Sequence, residues 1–387
     1  MTRALFVSNG HGEEAIATRL ASELQNLAPI ECDHLALVGD FGHPSVMRDV
    51  GPRRVMPSGG LIAMGNLPNI ARDLASGLVG HTLAQWRFLR SARGAYDVTV
   101  AVGDVFALMM ALQARAPAIY VGTAKSVYVA PYGPFEARVL RRARAVFVRD
   151  AATAQSLQDA GVAAQAPGNV IVDLNAADDE RIEPLASGFA PLLGLFPGSR
   201  APAAYADARF LCGVVRGLAR TQPHVGGILS IAPGLEVARF AEALAADGWD
   251  ISHASDPVAP FVLRAGAREV VRAWRGGVGP IVARATVVLG QAGTANEVAA
   301  AGGVPVVAFE LAGEKKTAWY RKRQAGLLGD ALQLGPGGEV EAAACVRGLL
   351  DDAPRRVRMG SVGRQRMGPP GGARAIAQCI AEIARAT

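Results

Sequence analysis

The stretch ATVVLGQAGTANEVAAAGGVPVVAF, residues 285–309, decides the fold of this chain. An apolar run ends at Gly290, a loop of small residues follows, a helical pattern begins near Ala295, and a second apolar run starts at Val304. Fully apolar runs separated by a helix are typical of parallel strands that helices cover on both faces. The stretch therefore predicts a strand, helix and strand of an open α/β sheet.

The same alternation extends over the whole chain. The predicted strands are residues 4–8, 34–38, 98–102, 118–121 and 145–148, then 192–196, 227–231, 261–263, 286–289 and 304–308. Residues 166–191, rich in proline, glycine and acid, separate the two halves. We expect α/β architecture with two Rossmann-like domains, residues 1–170 and 171–366, and a cleft between them. A C-terminal helix, within residues 367–387, is expected to cross back to the N-terminal domain.

Composition and charge limit the classes of partner that the protein is expected to bind. The 387 residues carry a formal charge of +6, which suits an anionic partner such as a nucleotide sugar, an acidic membrane face or nucleic acid. The basic clusters lack the regular aromatic residues of a single-strand binder, so we expect no nucleic-acid partner. Four scattered cysteines and six histidines without ligand spacing predict no metal site. No signal peptide or membrane span is visible, so we expect a cytoplasmic protein, able to lie on the inner face of the cell membrane.

The loop at Ala292, Gly293 and Thr294 is the first candidate for binding an anion. It has little side-chain bulk, and the free N–H groups and dipole of the helix that follows favour a diphosphate. Glu297, one turn into that helix, could accept hydrogen bonds from ribose hydroxyls. The spacing from Thr294 to Glu297 is also that of a capping box, in which the carboxylate would bond back to the backbone, so both roles stay open.

A second loop, PGSR at residues 197–200, follows another buried strand. Gly198 permits a close approach, Ser199 could cap the next helix, and Arg200 could neutralise the charge that grows as a diphosphate departs. An arginine in this position is also commonly solvated or ion-paired. Because both loops follow strands of one domain, we expect them to meet at the edge where open sheets bind ligands.

In the first half, Asp104 comes just after a buried strand. There, a partly desolvated carboxylate could act as general base toward a hydroxyl group, or it could simply cap the helix that begins at Val105. His11 and Glu13, in the turn SNGHGEEA at residues 8–15, are further catalytic candidates at the same edge. That turn fits G-x-G-x-x-A, but the stronger anion loops lie in the other half, which disfavours a dinucleotide site.

Residues 59–94 combine apolar residues at helical spacing with Arg87, Arg90 and Arg93. Such a pattern is typical of a helix packed in the core, and it also suits a face that meets lipid headgroups. Both interpretations stay open from the sequence.

PGSR together with AGTANE, at residues 292–297, resembles the lipid A disaccharide synthase group of GT-B glycosyltransferases. The similarity extends to the turn at 8–15, GD at 103–104, VRD at 148–150, GNVIVD at 168–173 and RMGPPGG at 366–372. In this chain Ala292 stands where the synthases have a serine, and the glutamate comes one residue earlier after the threonine. The resemblance implies that Asp104 matches the candidate base, Arg200 the diphosphate arginine and Glu297 the ribose carboxylate.

The resemblance also implies a reaction. We expect an inverting, metal-independent glycosyltransferase that moves a sugar from a UDP-sugar donor on the C-terminal domain to a lipid or lipid-linked acceptor on the N-terminal domain. It would need no cofactor besides the UDP-sugar co-substrate. Two alternatives stay open: a UDP-sugar epimerase of GT-B fold, which eliminates and re-adds the nucleotide, and a non-catalytic sugar-nucleotide-binding protein.

Overall fold

The computed structural model describes residues 2–38, 46–54, 77–123, 125–175, 179–311 and 315–386. The chain forms two compact units. Unit 1 comprises Met1–Leu174 and Gly368–Thr387, and unit 2 comprises Asn175–Met367.

Unit 1 is built on a seven-stranded sheet in the order β3-β2-β1-β4-β5-β6-β7, with every neighbouring pair parallel. Its strands are β1 (Arg3–Ser8), β2 (Glu31–Ala36), β3 (Arg48–Asp49), β4 (Val98–Gly103), β5 (Ala118–Gly122), β6 (Ala145–Phe147) and β7 (Ala164–Gln165). The central strands β4 and β5 are buried along their whole length, as their continuous apolar sequences predict.

The helices of unit 1 connect these strands. They are α1 (His11–Leu27), α2 (Leu78–Ser91), α3 (Val105–Ala111), α4 (Pro134–Leu140), α5 (Ala151–Asp159) and α6 (Val170–Asp173), with a 3₁₀ turn at Leu112–Ala114. Side chains of the helices bury both faces of the sheet, in two apolar clusters. The stretch at residues 59–94 has two interpretations, a helix in the core or a face for lipid, and its residues 59–76 lie outside the described residues. In α2, His81, Gln85 and Leu89 form the buried line, and Val79 and Leu83 are exposed.

Unit 2 has an eight-stranded sheet in the order β10-β11-β12-β9-β8-β13-β14-β15. Its strands are β8 (Leu192–Phe196), β9 (Gly226–Ser230), β10 (Asp250–His253), β11 (Phe261–Ala265), β12 (Arg268–Trp274), β13 (Val287–Gly290), β14 (Val306–Phe309) and β15 (Leu332–Gly335). The expected parallel sheet is interrupted at one edge, because β10, β11 and β12 pair antiparallel. Gly266, with φ +65°, permits the tight turn between β11 and β12.

The helices of unit 2 are α7 (Glu183–Ala186), α8 (Ala203–Ala219), α9 (Val237–Ala246), α10 (Gly279–Val282), α11 (Thr294–Ala301), α12 (Lys315–Leu328), α13 (Glu339–Asp351) and α14 (Ala353–Met367), with 3₁₀ turns at Glu180–Ile182 and Gly329–Ala331. Helix α14 packs tightly on α11. A Cβ at Gly360 would overlap the carbonyl of Gly303, and one at Gly363 would overlap that of Ala300.

The last helix, α15 (Gly372–Arg385), belongs to unit 1 and packs beside α1 through Ile376 and Ile380. Its first turn is held by Asp173, whose carboxylate accepts the N–H groups of Gly371 at 2.6 Å and Ala373 at 2.7 Å. The two motifs GNVIVD and RMGPPGG are therefore one structural joint. Together the two units confirm a fold of two Rossmann-like α/β domains.

Candidate functional site

In unit 2, strand β13 ends at Gly290 and helix α11 begins at Thr294, with Gly293 as its N-cap. Within the described parts of the chain, four consecutive backbone N–H groups at residues 292–295 donate to no acceptor. A run of free amides at the positive end of a helix dipole forms a concave site for an anion. The predicted anion loop therefore has the donors that a diphosphate needs.

Three buried amide side chains hold this loop. The Gln291 side chain bonds to both backbone groups of Phe309: it accepts a hydrogen bond from the N–H at 3.0 Å and donates one to the carbonyl at 3.2 Å. Gln324 donates to the carbonyls of Ala292 at 3.1 Å and Gly293 at 3.0 Å. Asn296 donates to the Gly290 carbonyl at 3.1 Å and to Gln324 Oε1 at 3.0 Å.

These bonds orient the loop's donors. Because C=O and N–H point in opposite directions across a trans peptide, anchoring the two carbonyls on Gln324 turns the N–H groups of Gly293 and Thr294 away from it. The loop therefore presents its amides to one side. The sequence did not predict these three amide side chains, because the residues around a glutamine or an asparagine do not indicate which group its side chain will bond.

The second predicted loop lies against the first. The Gln291 N–H donates to the carbonyl of Phe196, the last residue of β8, at 2.8 Å. Gly198 has φ +102°, a left-handed conformation that favours glycine, and a Cβ there would be 3.8 Å from the Gln291 carbonyl oxygen. The expected meeting of the two loops is present in unit 2.

Ser199 and Arg200 lie at the exposed end of the second loop. The expectation that Ser199 caps the next helix is wrong, because the chain turns through Ala201 and Pro202 and α8 starts only at Ala203. Within the described residues, the Arg200 guanidinium makes no hydrogen bond or ion pair. Burial and Glu297 raise the pKa of Tyr320, and the charge of Arg200 acts in the opposite direction.

The capping-box role for Thr294 and Glu297 does not match the structure. Thr294 is the first residue of the helix, and its N-cap is Gly293, which has no side chain to contribute. Glu297 lies one turn in, and its carboxylate adds to the rise that burial causes in the pKa of Tyr320. The structure thus gathers Arg200, Glu297 and Tyr320 around the start of α11.

In unit 1, Asp104 is the N-cap of α3, and its Oδ1 accepts the N–H of Ala107 at 3.1 Å. Burial nevertheless raises the pKa of its carboxyl above the ordinary value, and the charge of Glu136 adds to the rise. The hydrogen bonds from the α3 backbone and from Asn9 only partly offset it. Both roles expected for Asp104 are therefore compatible: it caps a helix and has the raised pKa of an acid–base group.

Glu13 lies near Asp104 at the carboxyl edge of the sheet. Its Oε1 accepts a hydrogen bond from Thr123 Oγ1 at 3.0 Å. Gly103, the residue before Asp104, has φ +130°, and a Cβ there would be 3.1 Å from Glu13 Cγ. His11 is the first residue of α1. The turn that opens the chain and the loop after β4 therefore come together at one edge.

Glu136 is a third carboxylate in this part of unit 1, and sequence reasoning missed it. Its Oε2 accepts from Lys125 Nζ at 2.6 Å and from the Gly133 N–H at 2.8 Å. The Lys125 ammonium also lies 5.4 Å from the ring centre of Tyr132. Pro134 and Glu136 in the first turn of α4 are the only local signal of this arrangement, and they also fit an ordinary helix start.

The motif VRD has a structural role. Asp150 is the N-cap of α5 and accepts the N–H of Thr153 at 2.8 Å and its hydroxyl at 2.7 Å. Within the described residues, no three His, Cys, Asp or Glu side chains gather to form a metal site. Every helix in the described parts of the chain is too short or too polar to cross a lipid bilayer.

Comparison with solved structures shows similar folds over nearly the full chain. The calicheamicin glycosyltransferase CalG4 matches with a TM-score of 0.62 and 15% identity, covering 100% of this chain and 99% of that chain. A UDP-GlcNAc 2-epimerase from Neisseria meningitidis bound to UDP-GlcNAc gives 0.54 and 11%, covering 100% of both chains. The UDP-GlcNAc 2-epimerase from Methanocaldococcus jannaschii gives 0.53 and 13%, covering 99% and 100%.

No protein-family model matches the sequence, and no curated protein is detectably similar to it in sequence. At identities this low, the structural likeness shows the fold, which is of the GT-B type, and leaves the reaction to be argued from the residues.

Proposed function

We propose that the chain is an enzyme of nucleotide sugars, in which unit 2 binds the diphosphate of a UDP-sugar at residues 197–200 and 291–297. The observation that carries this proposal is the run of four backbone N–H groups at residues 292–295 that donate to no acceptor among the residues the structure describes. Arg200 adds a cation that makes no bond of its own within the described residues. Amides and a guanidinium can stabilise a departing diphosphate in place of a metal ion.

The first candidate reaction is epimerisation of the UDP-sugar. It is supported by the two similar structures that are UDP-GlcNAc 2-epimerases and by three carboxylates of unit 1, Glu13, Asp104 and Glu136. A base would take the C2 proton while the C1–O bond breaks and its electron pair leaves on the diphosphate. Re-addition of that oxygen to C1, with a proton returned to the other face of C2, gives the epimer. Proton transfer on two faces requires more than one acid–base group.

The second candidate is inverting transfer to a lipid or lipid-linked hydroxyl, with Asp104 as the single base. The similar structure CalG4 is a glycosyltransferase, and the motifs of this chain resemble those of lipid A disaccharide synthase. Two exposed aromatic rings, Phe106 and Phe135, lie within two residues of Asp104 and Glu136 and would suit an apolar acceptor. Peripheral contact with a membrane belongs to this candidate alone.

Incubation with UDP-GlcNAc alone in heavy water separates the candidates. An epimerase forms the C2 epimer and places deuterium at C2 without any acceptor. If UDP binds but the sugar stays unchanged, while a lipid-acceptor panel gives a glycoside, the second candidate is correct. Binding without turnover under either condition leaves a nucleotide-sugar-binding protein. In either reaction, Arg200→Ala should lower turnover by about 100-fold.

A further inference from the structure

Tyr320 of α12 lies against the start of α11. A Cβ built at position 293 would overlap its phenol oxygen, so the hydroxyl group lies against Gly293. The hydroxyl group therefore lies beside the N-cap of the helix whose free N–H groups form the anion site.

The position of Tyr320 is fixed by its neighbour on the same helix face. Gln324 follows one turn later, is buried, and makes the hydrogen bonds to the carbonyls of Ala292 and Gly293. Residues four apart on a helix project to the same side. Helix α12 is thus bonded to the loop through Gln324, and Tyr320 lies beside Gly293 of the same loop.

The surroundings of the hydroxyl keep it protonated, so that it can donate a hydrogen bond. Burial and the Glu297 carboxylate raise the pKa of Tyr320, although the guanidinium groups of Arg200, Arg323 and Arg321 act in the opposite direction. The phenol consequently stays protonated at neutral pH. In the described part of the chain it makes no hydrogen bond.

We propose that Tyr320 is a binding residue of the nucleotide site, whose hydroxyl donates a hydrogen bond to a phosphate oxygen of the bound nucleoside diphosphate. This inference rests on the function proposed above. The phenol, which lies beside Gly293, would supply a fifth neutral donor next to the four backbone amides. It offers direction without adding charge to a site that already has Arg200.

The test is calorimetry of UDP and of uridine with three proteins: the wild type, Tyr320→Phe and Tyr205→Phe. Tyr205 is a matched control in unit 2. Its ring packs edge-on against Phe240, with the ring centres 4.9 Å apart, so Tyr205→Phe reports the general effect of removing a tyrosine hydroxyl. A hydrogen bond to a charged group predicts about 10-fold weaker UDP binding for Tyr320→Phe. Uridine, which has no phosphate, should bind wild type and variant equally.

The melting temperature of unliganded Tyr320→Phe should equal that of the wild type, since the hydroxyl makes no hydrogen bond within the described residues. Equal affinity of wild type and Tyr320→Phe for UDP overturns the inference and leaves the proposed function standing. Equal loss for UDP and uridine, or the same loss in Tyr205→Phe, also overturns it. A wild-type protein that does not bind UDP overturns the proposed function together with this inference.

Discussion

Asp104 caps a helix and is also the proposed general base, and one substitution can separate these two roles. An asparagine in its place would still cap α3, because an asparagine oxygen accepts the Ala107 N–H as well as a carboxylate does. It could not transfer a proton. We expect Asp104→Asn to keep the free energy of unfolding within about 0.5 kcal/mol and to lower turnover at least about 100-fold, measured by urea unfolding and steady-state kinetics.

Asp150→Asn is the matched control, since Asp150 caps α5 in the same unit and with the same geometry. Its turnover should equal that of the wild type. Because the pKa of Asp104 is raised, the acid limb of the wild-type pH profile should lie above the range of an ordinary aspartate. Full activity in Asp104→Asn would exclude the carboxylate from the chemistry.

His34 predicts a pH dependence of stability. It is fully buried, with its Nε2 2.8 Å from Ser8 Oγ, and burial together with Arg53 lowers its pKa from 6.5 to about 4, although Asp49 acts in the opposite direction. Between those values the unfolded chain binds a proton that the folded chain does not. The free energy of unfolding should therefore fall as pH drops from 6.5 to 4, by about 3 kcal/mol at most.

Urea unfolding at several pH values checks this slope. His34→Gln should flatten it whatever the variant's absolute stability, because the titrating group is gone. His253→Gln, at an exposed position of β10, should leave the slope as it is in the wild type. An unchanged slope in His34→Gln would assign the acid sensitivity to other groups.

At the residue scale, the sequence predicts those site residues that follow buried strands. Gly198, Gly293 and Asp104 each come at the carboxyl end of an apolar run, and such ends meet at one edge of a sheet. Tyr320 and Gln324 could not be found in this way. They contact the loop from helix α12, which comes later in the chain, and the residues around them do not indicate that contact.

At the scale of elements, the joint between Asp173 and α15 contributes measurably to stability. Its carboxylate makes two short charge-assisted bonds to the first turn of a helix whose dipole favours a negative group. We expect Asp173→Ala to lower the free energy of unfolding by about 2 to 3 kcal/mol. The amides of α15 should also exchange faster with solvent, as measured by hydrogen exchange.

Asp179→Ala is the control for that joint. Asp179 caps the short 3₁₀ turn at Glu180–Ile182, and its bonds to Arg181 are exposed, so its loss should cost much less stability than the loss of Asp173. Equal losses in the two variants would mean that the C-terminal helix is held by its apolar face alone.

The elements predicted from apolar runs are present, and the errors have a physical cause. β2 begins at Glu31 and not at His34, because its polar residue Asp33 is buried in bonds to Arg3, Arg48 and Tyr96. A hydrophobic pattern does not reveal a buried charge with such partners. The antiparallel edge of β10, β11 and β12 was missed for a similar reason, since β10 is mostly exposed and alternates little.

At the scale of the whole molecule, the chain is a pair of α/β units with different chemistry. Unit 2 has the free amides and the arginine that suit an anion, and unit 1 has the buried or half-buried carboxylates. The sequence predicts this division, because the alternation of strands and helices runs through both halves and the loops differ. The reaction itself depends on which groups meet the sugar, which local patterns do not specify.

The central claim is that the backbone amides at residues 292–295 bind the diphosphate of the nucleotide. The most direct measurement is an amide-resolved NMR titration of the labelled protein with UDP, with uridine as the reference ligand. We expect the amide protons of residues 292–295 to move downfield with UDP and to stay in place with uridine. Saturating UDP that leaves these four amides unmoved, or that shifts only the glycine turn at residues 9–13, would contradict the account.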